Sequence, residues 1–534
     1  MTRSKPAPHG DGSSPQARVA HFLATPGVLD GSVPTLHATH ASLVFVGRSR
    51  VLKIKRAVHL PFLDYSSLEK RRAACLAEVA VNHEAAPEIY LGVVPITERD
   101  DGSLAIGGPG TAIEWAVEMR AFEQSDLLAS RADANDLAPA LLRATADVVL
   151  AMHARAAPKH GTDPVAKMRA IIDEIATALR QSAADTLYDH IAEFERSAAA
   201  RLAAADDVLR RRAAAGFVRR CHGDLHLANI VVWNGRPTPF DAIEFSEEIA
   251  TVDTLYDLAF LLMDLDHRGN RAAANLVLNR YLLRGGVRED VEGLRALPLF
   301  LGLRAGIRAM VATERGATLD EGTPAARIAA GDAQSYLGHA VRYLTPPPPC
   351  LVAVGGFSGT GKSTLAATLA PGLSPAPGAL HLRSDVERKT MLGVDETERL
   401  DAASYTADMS ERVYARLYDR AAAALAAGHS VVVDAVFQKP AERARIGEIA
   451  ASHGAAFQGL WLEADAAILR RRVAERVGDA SDATGDVVDM QIARGIGTLG
   501  WTRIDAGGGA ERTHGAALAA LAATVASAEA AARG

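Results

Sequence analysis

The residues between His222 and Asp241 hold the means for moving a phosphoryl group. The run His222-Gly223-Asp224-Leu225-His226-Leu227-Ala228-Asn229 lies between the apolar phrases Gly216–Cys221 and Ile230–Trp233. Gly223 supplies a turn, so the run reads as a loop held between two short strands. Phosphoryl transfer needs a carboxylate beside the attacking hydroxyl and a metal ligand close by. Asp224 and Asn229, five positions apart, offer that base and that ligand. Asp241, twelve residues after Asn229, ends the next apolar stretch and offers a second metal carboxylate. A polar turn capped by Asp224 accounts for one carboxylate but not for the ordered set. A metal-hydrolase reading of His222 and His226 is disfavoured, because Gly223 stands where a zinc-binding helix would carry Glu.

A second set lies further on. Gly356-Phe357-Ser358-Gly359-Thr360-Gly361-Lys362-Ser363 matches Gly-x-x-x-x-Gly-Lys-Ser/Thr in full. It follows the buried-strand pattern Cys350–Gly355 and precedes a helix expected over Thr364–Leu369. Glycines let backbone N–H groups curl around phosphate oxygens, and the helix N-terminus adds positive field. Lys362 would reach the terminal phosphates of ATP and Ser363 would ligate Mg2+, with Thr364 opening the helix. The apolar strand Val431-Val432-Val433 ends in Asp434, a position suited to organising the same magnesium. Arg472 and Arg476, four apart, share a helix face, and their guanidinium groups could close over transferring phosphate. A solvated charged face is the plainer alternative. Ser384 and Asp385 sit where a helix starts, and capping is an equally natural role for them.

The set His222, Asp224, Asn229 and Asp241 resembles the aminoglycoside phosphotransferase family, which shares the protein-kinase fold. The resemblance implies a lysine on a strand of the smaller lobe to hold nucleotide phosphates. Val51-Leu52-Lys53-Ile54-Lys55 supplies two lysines on one strand face, and the Val-Leu-Lys phrase favours Lys53. It also implies a helix glutamate as that lysine's partner. Glu78 is the choice within the helical stretch Ser67–Ala85, with Glu69 and Glu84 as alternatives. Glu118–Ala121 falls where that fold places its hinge, and Asp257, just before Leu-Ala, fits the carboxylate that supports the catalytic loop. No Gly-x-Gly-x-x-Gly occurs in the first hairpin. The second half resembles P-loop small-molecule kinases such as gluconate kinase and zeta toxins. That resemblance makes Asp385 the group that activates the acceptor hydroxyl and assigns Arg472 or Arg476 to a lid.

Positioning these groups requires two folds. Residues 41–55 read as strand, turn, strand; 90–96 and 111–117 as further strands; and 137–214 as Ala-, Leu- and Arg-rich helices. The expected architecture is an α+β, protein-kinase-like, two-lobed domain over 17–344, followed by an α/β P-loop domain with a parallel sheet over 350–534. Residues 1–16 are polar and expected to be disordered, with a short helix over 17–29. Pro346–Pro349, within the linker 345–349, form a stiff spacer of roughly 12 Å. The Ala-rich stretch from Gly515 suggests a last helix and a frayed tail.

At 534 residues the chain is too long for one core, which supports this division. A net charge of -6 argues against bulk nucleic-acid binding. The three cysteines are far apart and fit a reducing, cytoplasmic compartment. Neither a signal peptide nor an 18-residue apolar run is present, so no membrane partner is expected. The reading is a bifunctional, ATP- and magnesium-dependent phosphotransferase acting on small-molecule hydroxyl or amine acceptors. Its rivals are a nucleotide-binding regulatory protein with one active half, and a nucleic-acid end kinase in the second half.

Overall fold

The computed structural model describes residues 14–60, 63–182, 187–476 and 479–533. In chain order, the first part contains α1 (Pro15–Ala24), β1 (Thr35–Ala38), β2 (Ser42–Val46), β3 (Arg50–Lys55), β4 (His59–Leu60), β5 (Leu63–Asp64) and α2 (Leu68–Asn82). Then come β6 (Tyr90–Glu98), β7 (Leu104–Ile106), β8 (Thr111–Arg120), α3 (Leu128–Asp133), α4 (Pro139–Arg155), α5 (Pro164–Ser182) and α6 (Tyr188–Ala214). Around the loop 222–229 come β9 (Val218–Arg220), β10 (Ile230–Trp233), β11 (Arg236–Pro239), α7 (Glu247–Ala250), β12 (Thr251–Asp253) and α8 (Thr254–His267). Helices α9 (Arg271–Gly285), α10 (Arg288–Gly293), α11 (Leu297–Ala317) and α12 (Pro324–Leu344) follow. After the prolines come β13 (Cys350–Gly356), α13 (Lys362–Leu369), β14 (Leu380–Arg383), α14 (Ser384–Leu392), α15 (Ala407–Ala426) and β15 (Val431–Asp434). The chain closes with α16 (Pro440–Ser452), β16 (Ala456–Glu463), α17 (Ala466–Ala474), α18 (Gly485–Arg494), β17 (Thr502–Asp505) and α19 (Ala510–Arg533).

These elements form two compact units. One holds the described residues through His160 together with Gly216–Asp257; the other holds Gly161–Ala215 and everything described from Leu258 onward. This division by contact passes within α8 rather than at the prolines.

The first unit is built on a six-stranded antiparallel sheet of order β1-β2-β3-β8-β6-β7. Its strands carry the branched and aromatic residues that suit a pleated surface, including Leu52, Ile54, Val117 and Ile96, all fully buried. Helix α2 is capped by Ser67, whose hydroxyl accepts from Lys70 N. Its buried residues Arg71, Cys75, Glu78 and Asn82 recur at helical spacing, so the buried stripe carries charge. Arg71 is matched there by Glu114 of β8, Nε to Oε1 at 2.8 Å.

The second unit contains a five-stranded parallel sheet of order β14-β15-β13-β16-β17. Continuous apolar runs such as Leu351–Val354 and Val431–Val433 are buried, as strands covered on both faces require. Helices α5, α6 and α9–α12 lie in the same unit. Both expected fold classes are therefore present.

Local boundaries differ from expectation at several points. Residues 14–16 are ordered: Ser14 Oγ accepts from Ala17 N, and α1 begins at Pro15, a residue pre-set for the first helical turn. That helix ends at Ala24, not near 29. The rest of the expected disordered segment, residues 1–13, and Gly534 at the expected frayed end lie outside the described residues. Helix α13 begins at Lys362, two residues before Thr364. Among the described residues no helix is long and apolar enough to cross a membrane.

Candidate active sites

The first site is assembled by β3, α2 and the loops around β9–β11. Lys53 Nζ lies 2.9 Å from Glu78 Oε1 and 2.6 Å from Asp241 Oδ1. Lys55, two residues on and therefore on the same face, meets Glu78 Oε2 at 2.5 Å and also pairs with Glu244. Glu78 is fully buried and bridges both ammonium groups. Of the alternatives, Glu84 pairs with exposed Arg155, and Glu69 sits in the exposed first turn of α2. The two lysines differ in access, since the Lys53 side chain is 13% exposed and Lys55 only 2%.

Burial acts against the charge on Lys53, but Asp241 and Glu78 outweigh it and hold its pKa well above the usual lysine range. The same balance works in reverse at Asp241. Burial pushes its carboxyl up, and the Lys53 ammonium more than offsets this, so it stays ionised.

Asp224 and Asn229 are brought together. Asn229 Nδ2 donates to the Asp224 carboxylate at 2.9 Å and to its carbonyl at 3.0 Å, and His226 Nε2 lies 3.4 Å from the same carboxylate. The loop is fixed from several directions. Asp257, fully buried, accepts from Gly223 N at 2.8 Å and His222 N at 3.3 Å, and His153 Nε2 lies 3.1 Å away. Asp253 instead caps the next helix, accepting from Leu255 N at 2.8 Å. Gly223 has φ +84°, and a Cβ there would come within 2.9 Å of Ile243 Cδ1, so the turn demands glycine. The His222 ring faces the Phe240 carbonyl with Nε2 at 2.9 Å and receives Asp224 N at Nδ1. A carbonyl only accepts, so Nε2 carries the proton; burial lowers the pKa and keeps the ring neutral.

The second site lies where β13 passes into α13. Gly356, Gly359 and Gly361 all have positive φ. A Cβ on Gly356 would lie 2.7 Å from Leu462 O, and one on Gly359 would lie 2.7 Å from Leu469 O. The loop's curl therefore needs both glycines. Phe357 O accepts from Thr360 Oγ1 at 2.8 Å and from Lys362 Nζ at 3.0 Å, while Ser358 N donates to Gln491 Oε1 at 2.8 Å. Ser363 and Thr364 stand in the first turn of α13 and face a cleft of about 1260 Å³.

Asp385, Asp434 and Arg476 line that cleft too. Asp385 lies inside the first turn of α14, whose cap is Arg383, so it does not cap the helix. Burial, then the neighbouring Asp434, raise its carboxyl pKa. Asp434 is itself pushed up by burial, but His381, Arg383 and Lys362 more than offset this and keep it ionised. Burial lowers the Lys362 pKa despite the two aspartates.

The two arginines are not paired as the sequence led one to expect. Helix α17 ends at Ala474, so Arg472 and Arg476 do not share a helix face. Arg472 is tied to the carbonyls of Ala506 at 2.9 Å and Gly508 at 3.2 Å. Arg476 pairs with Asp479 at 3.4 Å and has a buried Nη1 without a hydrogen-bond partner among the described residues. Gly478 lies outside the described residues.

Sequence reading missed four contributors. Glu244, three residues after Asp241, holds Lys55; Asn82, one turn after Glu78, pins Ala242 through N–H to Oδ1 at 2.7 Å. Arg383 lies 3.7 Å from Asp434, and Gln491 holds the phosphate loop. Glu244 and Asn82 carried a spacing signal; Gln491 is over a hundred residues from its partner and carried none.

Residues 351–495 match the family described as AAA domain. An uncharacterized protein of Mycobacterium tuberculosis is 29% identical over 498 residues, which is 92% of this chain and 96% of the relative. A choline/ethanolamine kinase family protein from Mesorhizobium loti overlays with a TM-score of 0.37 at 14% identity, covering 62% of this chain and 99% of its own. A sugar kinase from Janibacter sp. gives a TM-score of 0.25 at 22% identity, covering 33% and 95%. The phosphate loop and the strand lysine–glutamate–aspartate set, on the folds that carry them, define the class: an ATP-dependent phosphotransferase.

Proposed function

We propose that the chain carries two phosphotransferase centres, one per half, each moving the terminal phosphoryl of ATP to a hydroxyl or amine of a small molecule. The halves are 17–344 and 350–534. The observation that supports this reading is that each half gathers a lysine together with carboxylate and with amide or hydroxyl side chains. Lys53, Asp224, Asn229 and Asp241 gather in the first, and Lys362, Asp385, Ser363 and Asp434 in the second.

In the first centre, Lys53 held by Glu78 would steady the nucleotide phosphates, and Asp224 would accept the proton of the attacking group. Asn229, by donating to the carboxylate, aims Asp224 and leaves its own amide oxygen as a ligand. In the second, the N–H groups of Gly356–Ser363 would cradle phosphate, with Lys362 countering the charge that develops. Asp385, its pKa raised, suits a base that must hold a proton in transit. Arg476, whose buried Nη1 has no partner among the described residues, would reach the phosphates, while Arg472 braces the loop after β17. The donor sets are carboxylate, amide and hydroxyl oxygens, which suit magnesium. When bound, magnesium would neutralise the phosphate oxygens at both centres. We further place this activity in the cytoplasm, as the reduced cysteines suggest.

The test is full-length protein incubated with γ-labelled ATP and a fractionated metabolite extract. Asp224→Asn should remove one set of labelled products and Lys362→Ala another. Loss of all products in either single variant would replace two centres by one. Turnover of ATP without any labelled product would favour the regulatory reading.

A further inference from the structure

Strand β14 is an edge of the parallel sheet, and an edge leaves N–H and C=O groups without ladder partners. Leu380 N donates toward β15, to Ser430 O at 2.9 Å. The flanking Ala379 carbonyl and His381 N–H therefore face the other way. Both are taken by Asn279 of α9: Oδ1 accepts from His381 N at 2.7 Å, and Nδ2 donates to Ala379 O at 3.2 Å. A carboxamide offers the same donor–acceptor pair as a peptide, so one side chain stands in for the missing strand. Asn275, one turn earlier and 5% exposed, donates to the same carbonyl at 3.0 Å. Arg271, a further turn back, donates to Pro371 O at 2.7 Å. Residues 271, 275 and 279 share one face of α9. The approach is close, since a Cβ on Gly378 would lie 2.7 Å from Asn275 Nδ2.

What β14 carries gives this contact a consequence. His381 and Arg383 alternate onto one face of the strand, and both look at Asp434, at 3.9 Å and 3.7 Å. Asp385 begins two residues after the strand ends, so the strand's register decides where its carboxylate sits.

We propose that Asn279 is a positioning residue for the P-loop centre: it holds β14 in register and so fixes Arg383 and His381 against Asp434 and sets the place of Asp385. The inference rests on the phosphotransferase reading of the second half. A residue before the proline run thus completes a centre that lies after it.

The test measures Lys362-dependent transfer by the full-length protein, per site that binds a non-hydrolysable ATP analogue. Asn279→Ala removes both bonds and should lower kcat about ten- to a hundredfold, since small misplacements of reacting groups carry costs of that order. KM for ATP should stay near the parent value, because Gly356–Ser363 and Lys362 are untouched. Asn279→Asp keeps the acceptor for His381 N but sets an anion against Ala379 O; it should show a smaller loss of kcat and guards against a misfolded alanine variant. A merely structural role would reduce the number of binding sites and leave kcat per site unchanged in both variants, which overturns the proposal. Parent protein without any Lys362-dependent transfer would overturn the reading beneath it as well. Transfer dependent on Asp224 should be the same in all three proteins.

Discussion

Lys53 Nζ and Asp241 Oδ1 lie 2.6 Å apart although 188 residues separate them in the chain. A strand lysine and a carboxylate from beyond the loop 222–229 thus meet over one buried glutamate, whose other oxygen takes the neighbouring Lys55. The two lysines are chemically alike but placed for different work.

Lys55→Met should destabilise the protein far more than Lys53→Met. Removing Lys55 leaves the buried Glu244 side chain without its cation and Glu78 with Lys53 alone, whereas Asp241, the carboxylate that Lys53 would leave, is partly exposed; breaking a buried pair costs about 3–5 kcal/mol in comparable sites. Lys53→Met should instead act mainly on ATP affinity. Denaturant midpoints and analogue titrations of the two variants separate these effects, and equal midpoints would contradict the assignment.

Asp224→Asn should keep ATP binding yet slow transfer by the first centre about 10²–10⁴-fold, the usual contribution of a general base. The amide remains able to meet Asn229, so the loop should stay in place. Single-turnover rates at saturating acceptor give the answer; a near-parental rate would remove Asp224 from the base role.

Isothermal titration of the full-length protein with a non-hydrolysable ATP analogue and magnesium should report two sites. Lys362→Ala should lose one, and Asp241→Ala should weaken the other. One site in the parent, lost in both variants, would mean a single composite centre.

Acid should destabilise the second unit through His429. This ring is fully buried, with Nε2 3.0 Å from Gly378 O, and burial lowers its pKa from 6.5 to about 4. The unfolded chain takes up a proton below about pH 6.5 that the folded ring refuses until about pH 4. Stability present above that window is therefore lost as pH falls through it, by about 2 kcal/mol between pH 7.5 and 5. Urea unfolding at the two pH values measures the loss, and His429→Gln should flatten it. An unchanged slope in that variant would assign the acid sensitivity elsewhere.

The phosphate loop was legible from sequence because its chemistry is local. Glycines that must adopt positive φ, a lysine and a hydroxyl residue sit within eight positions, and the strand and helix beside them declare themselves by apolar runs. Asp224 and Asn229 were legible for the same reason, being set by one loop. The strand pattern also gave β2, β3, β6 and β8 close to their observed limits. Glu78 could be chosen only with the help of a resemblance, since Glu69 and Glu84 share its helical stretch. Which glutamate faces the sheet depends on how α2 packs, and packing left only Glu78 buried between two lysines. The rotation of Arg472 away from Arg476 turned on a helix ending two residues before Arg476, a boundary that propensity does not fix. Asn279 had no sequence signal at all. Its role exists because tertiary packing lays one face of α9 along a strand edge whose polar groups must be satisfied, and burial makes that requirement costly to leave unmet.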